Sequence, residues 1–175
     1  MSRLSMRSSA TGALSARRTG LTGRANHEVS AGYRSHQYLA EGKGAEFEAL
    51  AAHIAQVSVD EIAFCIVSFH EQVLGCHTYL SRARRAEDVV RGYTMLDRVL
   101  DAFSSAPVLP FDDKSAEVFA ELAKQRLRVA TLDLRIGSIA LAGNLTLVSR
   151  NLADFARIPG LACENWIPAS GERKP

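Results

Sequence analysis

The first 27 residues contain no acid, and no aspartate occurs before Asp60. No apolar run approaches the ~20 residues that a membrane-spanning helix needs, so no membrane partner is expected. Cysteine is scarce. Cys65, Cys76 and Cys163 are odd in number and stand at no metal-binding spacing, and two of them lie in apolar segments. Unpaired, mostly buried thiols in a reducing cytoplasm are expected. His70 and His77 flank Cys76 without a fourth ligand of suitable spacing, which argues against zinc. The net charge of +2 is too small to imply nucleic-acid binding by itself. Internal repeats are absent.

What is present suits one soluble domain. The 175 residues are enough for a single sizeable core, with 47% hydrophobic and 23% charged residues. Charge is unevenly spread. Arg3, Arg7, Arg17, Arg18 and Arg24 crowd the acid-free start, Arg82, Arg84 and Arg85 form a second cluster, and Lys124, Arg126 and Arg128 a third. Either later cluster could meet phosphates, although a solvated helix face explains most such runs. Residues 1–40 follow neither a helical nor a strand period, so no stable structure is expected before Gly42. Their Arg- and Ser-rich composition resembles an organelle transit peptide, and without a long apolar stretch a secretory signal is not expected.

From there, helices and short apolar strands alternate. Helical spacing covers residues 46–56, and residues 61–67 suit a buried parallel strand. Ser68 with Glu71 has the form of a capping box opening a helix to Arg82. Residues 86–103 place Val89, Tyr93, Leu96 and Leu100 on one stripe. Residues 107–110 form a proline-bounded strand, confined to a sheet edge or end. Asp112 or Asp113 caps a helix to Leu127. Thr131 caps the next, which Gly143 stops. A strand at 146–149, a helical turn at 151–155 and a last strand at 161–164 complete the pattern. Such alternation implies right-handed crossovers and a parallel sheet covered on both faces.

In such sheets ligands bind beyond the carboxyl ends of the strands. Glu71, Asp133 and Asp154 each follow a strand or open a helix on that rim. Clustered carboxylates repel, and Mg²⁺ or Mn²⁺ held by a few of them suits phosphodiester chemistry. Singly, each acid has a plainer explanation: Glu71 as a capping-box partner, Asp133 as a complement to a helix dipole, Asp154 as a cap. Their shared position distinguishes them.

Four segments carry a family resemblance: Val67-Ser-Phe-His-Glu71-Gln-Val-Leu-Gly75; Arg126 through Asp133 to Leu141; Thr146-Leu-Val-Ser-Arg-Asn151-Leu-Ala-Asp154-Phe155; and Ile158-Pro-Gly-Leu161 to Asn165-Trp166. Together they resemble a PIN-domain ribonuclease of the VapC toxin type. The third segment is the most specific of the four. The resemblance implies a three-layer α/β/α fold with a parallel sheet. It also implies a metal-dependent endoribonuclease, RNA as substrate, a cognate antitoxin as partner, and often a homodimer. Glu71, Asp133 and Asp154 would hold Mg²⁺ or Mn²⁺ and position an attacking water. Ser149 stands where the family places a hydroxyl beside the metal, and Arg150 could contact a phosphate or form an internal salt bridge.

The family's first acid closes strand one in a Leu-Leu-Asp-Thr-Asp pattern. Nothing here matches it, since Glu28 and Glu41 are the only nearby acids and neither follows a β-like run. The first strand is therefore expected to be missing or malformed. Residues 1–41 are assigned to a disordered or out-of-frame segment, and residues 42–170 to the PIN-like domain. Read one base later, codons permitted for residues 27–39 can encode Met-Lys-Phe-Leu-Leu-Asp-Thr-Asp-His-Ile-Ser-Ile-Leu. The aspartate then spans the codons of Gly32 and Tyr33. Codon degeneracy permits this reading without requiring it, and a displaced frame would also remove the transit-peptide interpretation.

Three functions remain in competition: an endoribonuclease impaired by the absent acid, an inactive PIN-like module binding RNA or an antitoxin, and an unrelated α/β domain whose acids are caps. The frame hypothesis predicts that the coding DNA around codons 27–43 carries the shifted motif. Determining that sequence checks it, and a DNA whose second frame lacks the motif removes the hypothesis.

Overall fold

The computed structural model describes residues 27–29, 45–58, 61–104 and 107–167. The rest of the segment assigned to 1–41, and residues 168–170 of the expected domain, lie outside the described residues. In chain order the elements are β1 (His27–Val29), α1 (Ala45–Ile54), β2 (Ile62–Cys65), α2 (Ile66–Arg82), α3 (Ala86–Ser104), β3 (Val108–Leu109), α4 (Asp113–Lys124), α5 (Thr131–Gly143), β4 (Thr146–Val148), α6 (Leu152–Phe155) and β5 (Cys163–Glu164). The described strands are all parallel, in the order β3-β2-β1-β4-β5.

The chain therefore builds the sheet outward from β1 in one direction, then crosses to its other side. Between β1 and β4 the direction of winding reverses, and that is where such sheets open a crevice at their carboxyl ends. β1 corrects the expectation of no regular structure before Gly42. It is a stub of three residues, lying ahead of residue 42, with Glu28 level with both Ala63 and Leu147. Strands β2 and β4 each carry backbone donors and acceptors on their inner edges, and a strand between them pairs those groups out of water.

Period-two alternation divides the sheet's side chains between two cores. Leu147 and Cys65 enter one face, packed by Leu122, Leu134, Ile136, Ile139, Ala140, Phe155 and Ile158. Val148, Ile62 and Phe64 enter the other, against Leu50, Phe103, Trp166 and Ile167. Phe103 meets the Phe64 ring at 4.9 Å and the Phe69 ring at 5.2 Å, edge-on to the latter. The expected α/β/α layering follows from this division.

Three local expectations change. Ser68 does not cap α2. The helix begins at Ile66, and Cys65 is the capping residue, its sulfur accepting from the Ser68 N–H at 3.3 Å. Ser68 is fully buried in the first turn, with its hydroxyl 3.2 Å from that sulfur. Early termination of β2 at Cys65 thus starts the helix three residues sooner, and Glu71 falls in its second turn. On α3 the stripe of Val89, Tyr93 and Leu100 is exposed, Tyr93 by 61%. The buried positions are Gly92 and Phe103. A Cβ at Gly92 would collide with the Leu80 side chain, so this glycine sets how closely α3 lies against α2. Thr131 does not cap α5 but is its first residue: Ala130 occupies the cap position and makes no side-chain bond there, while Asn144, at φ 51°, ends the helix in the left-handed region directly after Gly143. Asp112 caps α4, accepting from the Ser115 N–H at 3.0 Å and from its hydroxyl at 2.9 Å.

The four residues of α6 are too few to be stable alone, and Phe155 anchors them with its side chain only 2% exposed. Replacing it, Phe155→Ala, is expected to cost about 3–5 kcal/mol of folding stability, read as a lowered midpoint in chemical denaturation.

Candidate functional site

Helices α2 and α5 and the segment after β4 bring polar side chains to the crevice at the carboxyl end of the sheet. A cleft of about 550 Å³ is lined there by Glu71, Leu74, Gly75, Thr78, Leu132, Asp133, Ile136, Ser149, Asn151 and Phe155. Glu71 comes from the second turn of α2 and Asp133 from the first turn of α5. Ser149 immediately follows β4 and is 8% exposed. Its N–H donates to the Glu164 carbonyl at 2.8 Å, which fixes the backbone, and its hydroxyl oxygen accepts from the Asn151 N–H at 3.2 Å. Leu132, Ile136 and Phe155 add apolar lining beside the half-buried acids.

Both cleft carboxylates hold their protons more tightly than usual. Burial raises Glu71 above its ordinary value of 4.5, and the negative charge of Asp133 adds to the rise, against a smaller lowering by His70. Burial likewise raises Asp133 above 3.8, with the Asp154 charge contributing. The three expected acids therefore form an electrostatic series, Glu71 to Asp133 to Asp154.

Asp154 is set differently from the other two. It is not among the residues lining the cleft. One of its oxygens accepts from the Asn151 amide at 2.8 Å, and the other accepts from Arg157 at 3.1 Å. Arg157 also donates to the Arg128 carbonyl at 2.7 Å, tying α6 to the segment before α5. Arg150 is exposed and is not among the cleft-lining residues. Among the described residues, no group of three or more His, Cys, Asp and Glu side chains is placed to hold a metal ion.

Asn151 and Arg157 were not singled out from sequence, although both stand three residues from Asp154. That spacing places side chains on neighbouring positions of a helical turn, so it carried a readable signal. Thr78, seven residues beyond Glu71 on the same helix face, carried the same kind of signal.

The donor set has the chemistry of a hard cation site. Glu71 and Asp133 supply carboxylate oxygens, Ser149 a hydroxyl and Asn151 an amide. Mg²⁺ commonly takes one or two carboxylates and keeps several waters, so two raised carboxylates on one cleft suit it without a third ligand close by.

Comparison with known proteins gives a consistent pattern. No family model matches the chain. Ribonuclease VapC2 of Rickettsia felis is 40% identical over 72 residues, covering 38% of this chain and 54% of that protein. The chain thus spans about half the length of that relative. The tRNA(fMet)-specific endonuclease VapC of Salmonella typhimurium is 30% identical over 100 residues, 57% of this chain and 71% of that protein. Among solved structures, the DNA-bound VapBC of Salmonella typhimurium superposes with a TM-score of 0.63 at 20% identity, covering 82% of this chain and 99% of that chain. This last likeness shows the fold, and bears out the α/β PIN-like layering.

The raised acids give a pH signature. A carboxyl whose folded-state affinity for protons exceeds its unfolded value destabilises the fold once ionised, so the cost is full above the folded value and vanishes below the unfolded one. Asp133→Asn is therefore expected to raise the melting temperature at pH 7 in the presence of EDTA. The gain should shrink to nothing as pH falls below about 3.8. Parallel melts of both chains from pH 3 to 8 check it.

Proposed function

Because the chain belongs to the VapC family of PIN-domain toxins, we propose that its activity is metal-dependent endoribonucleolysis, impaired here by the absence of the family's first aspartate. The observation that supports this most is the pairing of Glu71 and Asp133, two half-buried carboxylates from separate helices on one cleft beside Ser149.

In this reading Glu71 and Asp133 hold Mg²⁺ or Mn²⁺, and Ser149 and Asn151 lie within the same cleft. The cation supplies charge neutralisation for an RNA phosphate and a more acidic water at neutral pH. Asp154, held by Asn151 and Arg157, keeps negative potential on Asp133 and so strengthens its hold on a cation. Leu132, Ile136 and Phe155 keep bulk water from the carboxylates. Arg150 is assigned to the approach of an RNA phosphate. The site of action is the reducing cytoplasm, where Cys65 and Cys76 stay buried thiols. No described helix is long and apolar enough to cross a membrane.

The partners are an RNA substrate, a cognate antitoxin and a second copy of the chain. Support for protein partners comes from α3, which exposes Val89, Val90, Tyr93 and Leu100 together; apolar surface of this kind is commonly covered by another protein. A second function, binding RNA or an antitoxin without cutting, is favoured by the missing first acid and by the hold of Arg157 on Asp154.

Cleavage of labelled RNA separates the two. A chain with the frame restored over residues 27–43 is expected to cut in Mg²⁺ or Mn²⁺ and to stop in EDTA. The present chain should be slower by more than the ~10–100-fold typical of losing an outer-shell partner. Asp133→Asn in the restored chain should abolish cutting. RNA binding with no cleavage by either chain would establish the non-catalytic function instead.

A further inference from the structure

The cleft that holds Glu71 and Asp133 meets a second space at Gly75 and Thr78. This depression, of about 410 Å³, is lined by Gly75, Thr78, Tyr79, Arg82, Ala83 and Asp88. Gly75 and Thr78 line both spaces, so the two adjoin along α2 and can be taken together as a trough. Glu71, Gly75, Thr78 and Arg82 recur at steps of four, three and four, which places them on one helix face. At ~1.5 Å per residue, the trough carries its floor about 16 Å from the acid to the arginine.

Charge is opposite at the two ends. Glu71 and Asp133 make one end anionic. At the other, Arg82 is exposed, makes no ion pair with any described residue, and is followed by exposed Arg84 and Arg85 in the turn to α3. A helix C-terminus attracts a cation, and Arg82 alone would satisfy that. Two further arginines and an open trough ending on Arg82 exceed what the helix needs. Asp88 stands on the same depression, where its carboxylate accepts from the Tyr79 hydroxyl at 3.5 Å. Its charge would disfavour an anionic strand on its own side and leave the Arg82 side the better one.

We propose that Arg82 is a phosphate-binding residue that holds the backbone of single-stranded RNA a few nucleotides from the position of cleavage. This inference rests on the ribonuclease reading of the same trough. The strand is drawn to the Arg82 end first, because the Glu71 end repels phosphate until a cation offsets its carboxylates. The Thr78 hydroxyl lies midway and can donate to an intervening phosphate oxygen.

The test is binding of a cleavage-resistant, single-stranded 2′-O-methyl RNA, long enough to span the trough, to the full chain in a salt titration read by fluorescence anisotropy. Arg82→Gln is expected to weaken binding roughly 5–10-fold and to reduce the slope of log affinity against log salt by ~0.7, the share of one phosphate contact on a single strand. Arg82→Lys keeps the charge and should retain the slope. Arg98→Gln, on α3 away from the trough, should leave affinity and slope unchanged. If Arg82→Gln leaves the slope intact, or Arg98→Gln lowers it equally, the trough assignment is overturned while the RNA reading stands. If the unmodified chain binds no RNA at all, both are overturned.

Discussion

A parallel sheet buried on both faces leaves polar side chains few places to stand, and this constraint organises the molecule. Along β2 and β4 the side chains alternate between two apolar cores, so neither face can carry charge. Residues that must meet water gather at the carboxyl rim, where helices α2 and α5 and the turn after β4 begin. The reversal of winding between β1 and β4 opens that rim into a cleft. Glu71 and Asp133 stand in it half-buried, close enough for the Asp133 charge to make Glu71 harder to ionise.

That repulsion links stability to chemistry. Two carboxylates that hold protons above their ordinary values are a burden on the fold when ionised, and a hard cation is the natural relief. Asp154 shares the field without lining the cleft, its carboxylate held and oriented by Arg157 and Asn151. The site is therefore graded: two acids open to a ligand and one committed to its neighbours. At the far end of the same trough Arg82 reverses the sign of the potential. A polyanion entering it meets attraction first and repulsion last.

Much of this was legible along the chain. The acids follow strand-like runs or open helices, so Glu71 and Asp133 could be placed on one rim from periodicity and turn residues. The edge position of β3 followed from Pro107 and Pro110. Other features were not legible, for physical reasons. Ser68 with Glu71 has the form of a capping box, yet the Cys65 sulfur captures the Ser68 N–H because β2 ends early. The α3 stripe looks like a core face in sequence. Gly92 instead brings α3 against α2 along another line and leaves Tyr93 in water.

β1 shows the division most clearly. His-Glu-Val has no hydrophobic alternation and no length, and nothing local marks it as a strand. It pairs because β2 and β4 present unpaired edges on either side of it, a condition that exists only once the rest of the sheet is assembled. The sequence by itself determined the succession of elements after β1, the acids they carry and the lack of an aspartate before Asp60, since these depend on local pattern. Tertiary structure alone decided which strand lies at the centre, that Asp154 turns to Arg157, and that Arg82 ends the trough opening at Glu71. Those outcomes depend on backbone edges and charges that meet only when distant segments pack.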